Sequence, residues 1–168
     1  RVDFNVPMSL DGRINNYFRL DASLKTIQYC LDNNAAVVLI SHLGRPKVGE
    51  NSSLSLYPII EYLKNNFKKS NVFFSDDCIS ESSFKMTSNL NSRDIVLLEN
   101  LRYYDEELNN DRNFSFLLSK HADIYINDAF GTSHREHASN SSILKYFPSK
   151  DKAIGFLFDK ELKYLSNM

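Results

Sequence analysis

Four short segments carry the residues able to do chemistry: Arg1-Val2-Asp3-Phe4-Asn5-Val6-Pro7, Ser41-His42-Leu43-Gly44-Arg45-Pro46, Glu99-Asn100-Leu101-Arg102, and the run from Asn127 and Asp128 through Gly131 to His134-Arg135. Each sets an arginine beside side chains that donate or accept hydrogen bonds, and Arg19 follows the first of them. The chain has eight arginines and twelve lysines. Five arginines (Arg1, Arg19, Arg45, Arg102 and Arg135) fall in or beside these segments, while the lysines are spread over helices and loops. A guanidinium offers two parallel donors to a carboxylate or phosphate and stays charged when partly desolvated, which an ammonium does less well. The segregation predicts a small anionic ligand held by a fork of arginines.

Within these segments not every polar residue is assigned to the ligand. Arg1, on a strand-like segment with acidic neighbours, is expected to form an internal ion pair and is left out of the site. His42 is kept as a ligand contact because of its place inside His-Leu-Gly-Arg. His134 and His137 have an HxxH spacing but no evident third ligand, so zinc is not expected, and His134 is read as orienting Arg135. Gly44 and Gly131 suit close backbone approach or positive φ at tight turns. The acidic run Asp105-Glu106-Glu107 reads as a solvated loop, and Asp159 to Tyr164 as a helix surface.

The elements that must position these segments alternate. Helical spacing of Leu20, Leu24, Ile27 and Leu31 predicts a helix over 19–34, followed by a buried strand at 35–41. A second helix is expected over 55–67, with Pro58 tolerated in its first turn. Strands at 72–74 and 94–98 flank a weakly helical segment at 80–89. Asp111 caps a helix to about Lys120, 124–127 is strand-like, 153–158 reads as a last strand, and a final helix begins at Asp159. Strand–helix alternation implies βαβ units, hence an α/β fold with a mostly parallel sheet covered by helices on both faces. Ligands in such sheets bind beyond the carboxyl ends of the strands, where the four segments fall. The loops at 51–53 and 89–92 read as short connections, so 1–168 is expected to be one domain.

Composition limits the function classes. With 168 residues, 42% hydrophobic and 24% charged, the chain can bury one proper core. A formal charge of −1 and the lack of a long basic run argue against nucleic acid. The longest apolar stretch, Ala35 to Ile40, is far below the ~18 residues that span a bilayer. Two cysteines, Cys30 and Cys78, without CxxC spacing fit a reduced, cytoplasmic setting. The start at Arg1, within a strand-like pattern, reads as a missing beginning. No GxxxxGK or GxGxxG occurs.

The strings RVDFNVP, SHLGRP, LLENLR and NDAFGTSHR, in this order, resemble the signature segments of phosphoglycerate kinases, and the likeness extends to GFLFDKEL near the end. The resemblance implies a three-layer, Rossmann-like N-terminal domain holding 3-phosphoglycerate or 1,3-bisphosphoglycerate. A C-terminal domain, expected to be missing from these residues, binds Mg-ADP or Mg-ATP. By motif, Asp3 and Asn5 contact the glycerate hydroxyl and carboxylate, and His42, Arg45, Arg102 and Arg135 hold the anionic groups. Arg19 matches the catalytic arginine that meets the phosphoryl group in flight. No general base is implied for ATP formation, since the attacking phosphate oxygen is already ionised. Asp21 departs from the family pattern, where a basic or small residue is common. A monomer, inactive without its second half, is expected. The alternative is a stand-alone domain that binds an acidic metabolite without turning it over.

Overall fold

The computed structural model describes residues 1–9, 11–46 and 54–166. Helix α1 (Phe18–Asp32) leads into β1 (Val37–Leu39), α2 (Ile59–Asn66), β2 (Val72–Ser75), α3 (Glu81–Ser88) and β3 (Ile95–Leu98). A one-turn helix, α4 (Asp105–Leu108), then precedes α5 (Arg112–Ser119), β4 (Tyr125–Asn127), β5 (Lys152–Ile154) and α6 (Phe156–Ser166). Strands β1, β3 and β2 lie side by side in that order, and β4 pairs with β5. All three pairings are parallel, and an isolated bridge between Met8 and Ile14 is antiparallel. The α/β class and mostly parallel sheet expected from the alternation are therefore present.

The opening segment joins the two sets of strands. Val2 donates its amide to the Ile40 carbonyl at 3.1 Å, while Arg1 donates its ammonium to the Ile126 carbonyl at 2.7 Å and accepts from the Asp128 amide at 2.8 Å. It thus lies between the ends of β1 and β4, and its next residues emerge at the carboxyl edge of the sheet.

Side-chain alternation along β3 builds two cores. Ile95 and Leu97 pack with Leu20, Ile27 and Leu31 of α1 and Ile59, Ile60 and Leu63 of α2. Val96 and Leu98 pack instead with Phe114 and Leu118 of α5, Tyr125, Ile143 and Phe147. A period of two sends successive side chains to opposite faces, so one central strand, buried throughout, serves both layers of helices. Ser80 and Asp111 cap α3 and α5, accepting from the amides of Ser83 at 3.2 Å and Phe114 at 2.7 Å. The cap explains why the polar segment at 80–89 is a helix.

One element differs from expectation. The run 153–158 is not a single strand: β5 ends at Ile154 and α6 begins at Phe156, ahead of Asp159. The cause lies elsewhere in the chain. Oδ1 of Asp128, just after β4, accepts from the amides of Leu157 at 3.0 Å and Phe158 at 3.1 Å, and Thr26 Oγ1 accepts from Phe156 at 2.9 Å. Three amides at the start of α6 are satisfied by side chains remote in sequence. A Cβ on Gly155 would lie 2.2 Å from that same Oδ1, so only glycine admits the approach. The apolar triplet Phe156-Leu157-Phe158 then packs as a helix face, with Phe156 edge-on to Tyr29 and Phe158 edge-on to Phe130.

The 51–53 connection lies outside the described residues. Among the described residues no helix is long and apolar enough to cross a membrane.

Candidate functional site

Parallel pairing brings the four segments to one edge, and buried side chains tie them together. Ser41, following β1, accepts from the Phe4 amide at 2.9 Å and donates to the Val2 carbonyl at 3.0 Å. Asn5 Oδ1 accepts from the Gly44 amide at 2.8 Å, and the side-chain NH2 of Asn5 has no partner among the described residues. Gly44 turns there with φ +60°, a region that favours glycine. Asn100, following β3, accepts from the Leu43 amide at 3.0 Å and the Arg102 amide at 3.1 Å. It also donates to the carbonyls of Leu43 at 2.8 Å and Leu54 at 2.9 Å. Its neighbour Glu99 accepts from the Leu56 amide at 2.9 Å and the Ser55 hydroxyl at 2.6 Å, pinning the approach to α2. The fourth segment closes against the first at Gly131, where a Cβ would stand 3.2 Å from Asp3 Oδ2.

The charges on this edge are unbalanced. Arg102 donates Nη1 to the Gly44 carbonyl at 2.7 Å, while its buried Nε has no partner among the described residues. Burial, then Arg135, Arg1 and Arg45, push the Arg102 guanidinium below its usual range, so these four cations share one field. Among the described residues no carboxylate pairs with Arg45, Arg102 or Arg135; the ion pairs fall at Arg13, Arg19, Arg93 and Lys163. His42 is buried and pushed down to about 2 by burial, with Arg1, Arg102, His137 and Arg135 adding to the effect. His137 is lowered first by burial and then by Arg102 and Arg135. Imidazoles here are neutral N–H donors in a cluster of guanidinium groups.

Arg19, at the start of α1, stands apart. Its Nη1 pairs with Asp3 Oδ2, and its side chain is 48% exposed. The other Asp3 oxygen accepts from the Asn5 amide at 3.2 Å. Asp21 turns to the Tyr62 hydroxyl, a contact distinct from the Arg19 pair. Thus Arg45, Arg102 and Arg135 form one cationic group with the neutral His42 ring against it, and Asp3, Asn5 and Arg19 are linked beside it.

Three expectations need correction. Arg1 is buried, but its partners are Ser139 Oγ at 3.0 Å from Nε, His42 Nδ1 at 2.9 Å from Nη2, and the Val2 carbonyl, not a carboxylate. His134 is exposed and makes no described hydrogen bond to Arg135. The run Asp105-Glu106-Glu107 is helical, and its third carboxylate is buried against Ser139. Ser139 and Glu107 carry no local signal: a serine among polar residues and the last of three acids both read as surface. Asn100 sits inside a quoted motif, and the burial expected directly after an all-apolar strand was the available clue.

The geometry agrees with comparison to known proteins. The phosphoglycerate kinase family profile matches residues 1–168. The phosphoglycerate kinase of Prochlorococcus marinus (strain MIT 9515) is 46% identical over 165 residues, 98% of this chain and 40% of that protein. That of a Wolbachia strain from Drosophila simulans is 48% identical over 165 residues, again 98% and 40%. Among solved structures, the Coxiella burnetii phosphoglycerate kinase gives a TM-score of 0.85 at 31% identity, covering 99% of this chain and 40% of the other. The Pyrococcus horikoshii enzyme gives 0.86 at 30% identity, covering 99% and 41%. The chain therefore spans about two fifths of its relatives' length. With the profile matched from end to end and the same fold at 30% identity or better, the chain belongs to the phosphoglycerate kinase family.

Proposed function

We propose that this chain is the phosphoglycerate-holding part of an enzyme that moves a phosphoryl group between 1,3-bisphosphoglycerate and ADP, giving 3-phosphoglycerate and ATP. The observation that carries the reading is the group of Arg45, Arg102 and Arg135 without a carboxylate among the described residues. Such charges, tied to one sheet edge and not neutralised from within, fit a phosphate that supplies the missing negative charge. Arg45, Arg102 and Arg135 bind the non-transferring phosphate, and His42 adds a neutral N–H. Asn5, its oxygen held by Gly44, turns its amide donors to the glycerate carboxylate. Asp3 accepts from the glycerate hydroxyl.

Phosphoryl transfer requires alignment and positive charge where three equatorial oxygens share negative charge. Arg19 fills that role because Asp3 holds it beside the substrate cluster and half open to solvent. The same pair favours an enzyme over a stand-alone binding domain, since ligand retention alone gives no reason to hold a guanidinium apart from the cluster. Among the described residues no three carboxylate, imidazole or thiol groups gather to hold a metal. Mg-ADP and Mg-ATP are assigned to the family's second half by the resemblance alone, and the chain by itself is expected to transfer no phosphate, because one holder cannot align what it does not hold. Free thiols at Cys30 and Cys78 support a reducing, cytoplasmic setting, with a monomer as the family expectation.

Calorimetry tests the reading. Titration of the 168-residue chain with 3-phosphoglycerate is expected to show binding that weakens as salt rises, because charge contacts near solvent are screened. Glycerol at the same concentrations gives no heat of binding. Equal heats for the two ligands contradict the proposal.

A further inference from the structure

We infer that Glu107, acting through Ser139 and Arg1, is a positioning residue that holds His42 in its Nε2–H tautomer and so presents one N–H donor to an anion bound at the arginine cluster. The inference rests on the phosphoglycerate reading only for the identity of the anion. Each link has a fixed direction. Glu107 is 1% exposed, and its carboxylate accepts twice from Ser139, from the amide at 2.8 Å and from the hydroxyl at 2.6 Å. A serine hydroxyl has one proton, here given to Glu107, so its oxygen must accept from Arg1 Nε at 3.0 Å. The Ser139 carbonyl is in turn held by the Tyr125 hydroxyl at 2.6 Å.

Arg1 is thereby fixed on three sides. Nε meets Ser139 and Nη1 meets the Val2 carbonyl, which leaves Nη2 at 2.9 Å from His42 Nδ1. A guanidinium only donates, so Nδ1 must offer its lone pair and the ring proton must sit on Nε2. The opposite tautomer would set two donors against each other at Arg1 and turn a lone pair toward the anion. Among the described residues Nε2 has no hydrogen-bond partner. The charged and titratable groups acting on the ring are Arg1, Arg102, Arg135 and His137, all of which oppose its protonation. Burial raises the Glu107 carboxyl, while Arg1 and the two Ser139 bonds oppose that rise.

The test is two-bond 1H–15N correlation of 15N-histidine in the 168-residue chain, with 3-phosphoglycerate affinity read in parallel. Wild-type His42 is expected to remain neutral and Nε2-protonated from about pH 5 to 8, where an ordinary histidine titrates. Ser139→Ala, with its amide fingerprint retained, is expected to show a tautomer mixture at His42. Its affinity for 3-phosphoglycerate should fall roughly 3- to 10-fold, the scale of one net hydrogen bond. A folded Ser139→Ala with wild-type ring shifts overturns the inference, even if stability drops. So does a wild-type ring that carries its proton on Nδ1 or titrates in that window, a result that decides the matter if the variant fails to fold. A wild-type Nε2–H ring with no affinity for 3-phosphoglycerate supports the positioning role and removes the substrate reading.

Discussion

Arg19→Met, made in this chain fused to the second half of a phosphoglycerate kinase relative, is expected to lower kcat by on the order of 10³ while changing phosphoglycerate KM much less. The basis is differential binding: a charge that meets the phosphoryl group in transit stabilises the transition state more than the ground state. Arg19 is paired with Asp3 and about half exposed, whereas Arg102 is tied to the Gly44 carbonyl. Arg102→Met should behave differently and raise KM as well, because that guanidinium, tied to Gly44, is proposed to hold the substrate throughout. Arg19→Lys should recover only part of the loss, since one ammonium cannot reproduce paired donors on two oxygens. Steady-state kinetics at saturating MgATP, with folding checked by circular dichroism, compares the three. A kcat within about tenfold of wild type for Arg19→Met contradicts the role, because removing such a group should cost at least ~2.7 kcal/mol.

Asn100→Ala is expected to destabilise the chain by about 3 kcal/mol or more. Asn100 is fully buried, and its side chain serves the Leu43 and Arg102 amides and the Leu43 and Leu54 carbonyls. Alanine removes one side of all four bonds, and each buried group left without a partner costs roughly 1–3 kcal/mol unless water reaches it. For a chain of this size the loss corresponds to a Tm lower by roughly 10 °C. Asn100→Asp should be no milder, since it turns an oxygen toward the two carbonyls that now receive N–H. Urea unfolding followed by circular dichroism measures the change. A loss below about 1 kcal/mol would show that the 41–46 loop and the Arg102 turn do not depend on this residue.

The sheet and most helices were legible because their signals are local. The apolar run of β3 and the spacing along α1 each encode burial within a few residues, and the structure uses both as read. The start of α6 was not legible. Phe156 to Phe158 suits a strand by composition, and the remote side chains of Thr26 and Asp128, which take up the first three amides, make them a helix. At the site, residue type revealed the guanidinium cluster, because a preference for arginine over lysine survives without knowledge of the fold. The supports behind it did not show. Glu107 looks like its two exposed neighbours, Asp105 and Glu106, until the one-turn helix directs it at Ser139. Arg1 is buried as a structural group would be, yet its contacts to a hydroxyl and an imidazole depend on residues 138 and 41 positions away along the chain.

Binding of an anionic phosphoglycerate at the carboxyl edge of the sheet is open to direct measurement, by amide and imidazole chemical shifts during titration with 3-phosphoglycerate. Progressive shifts are expected at Asp3, Asn5, His42, Arg45, Arg102 and Arg135 at about millimolar ligand, reduced by added salt. No shifts near His42 and Arg102 under those conditions, or shifts confined to residues away from that edge, would rule this binding out.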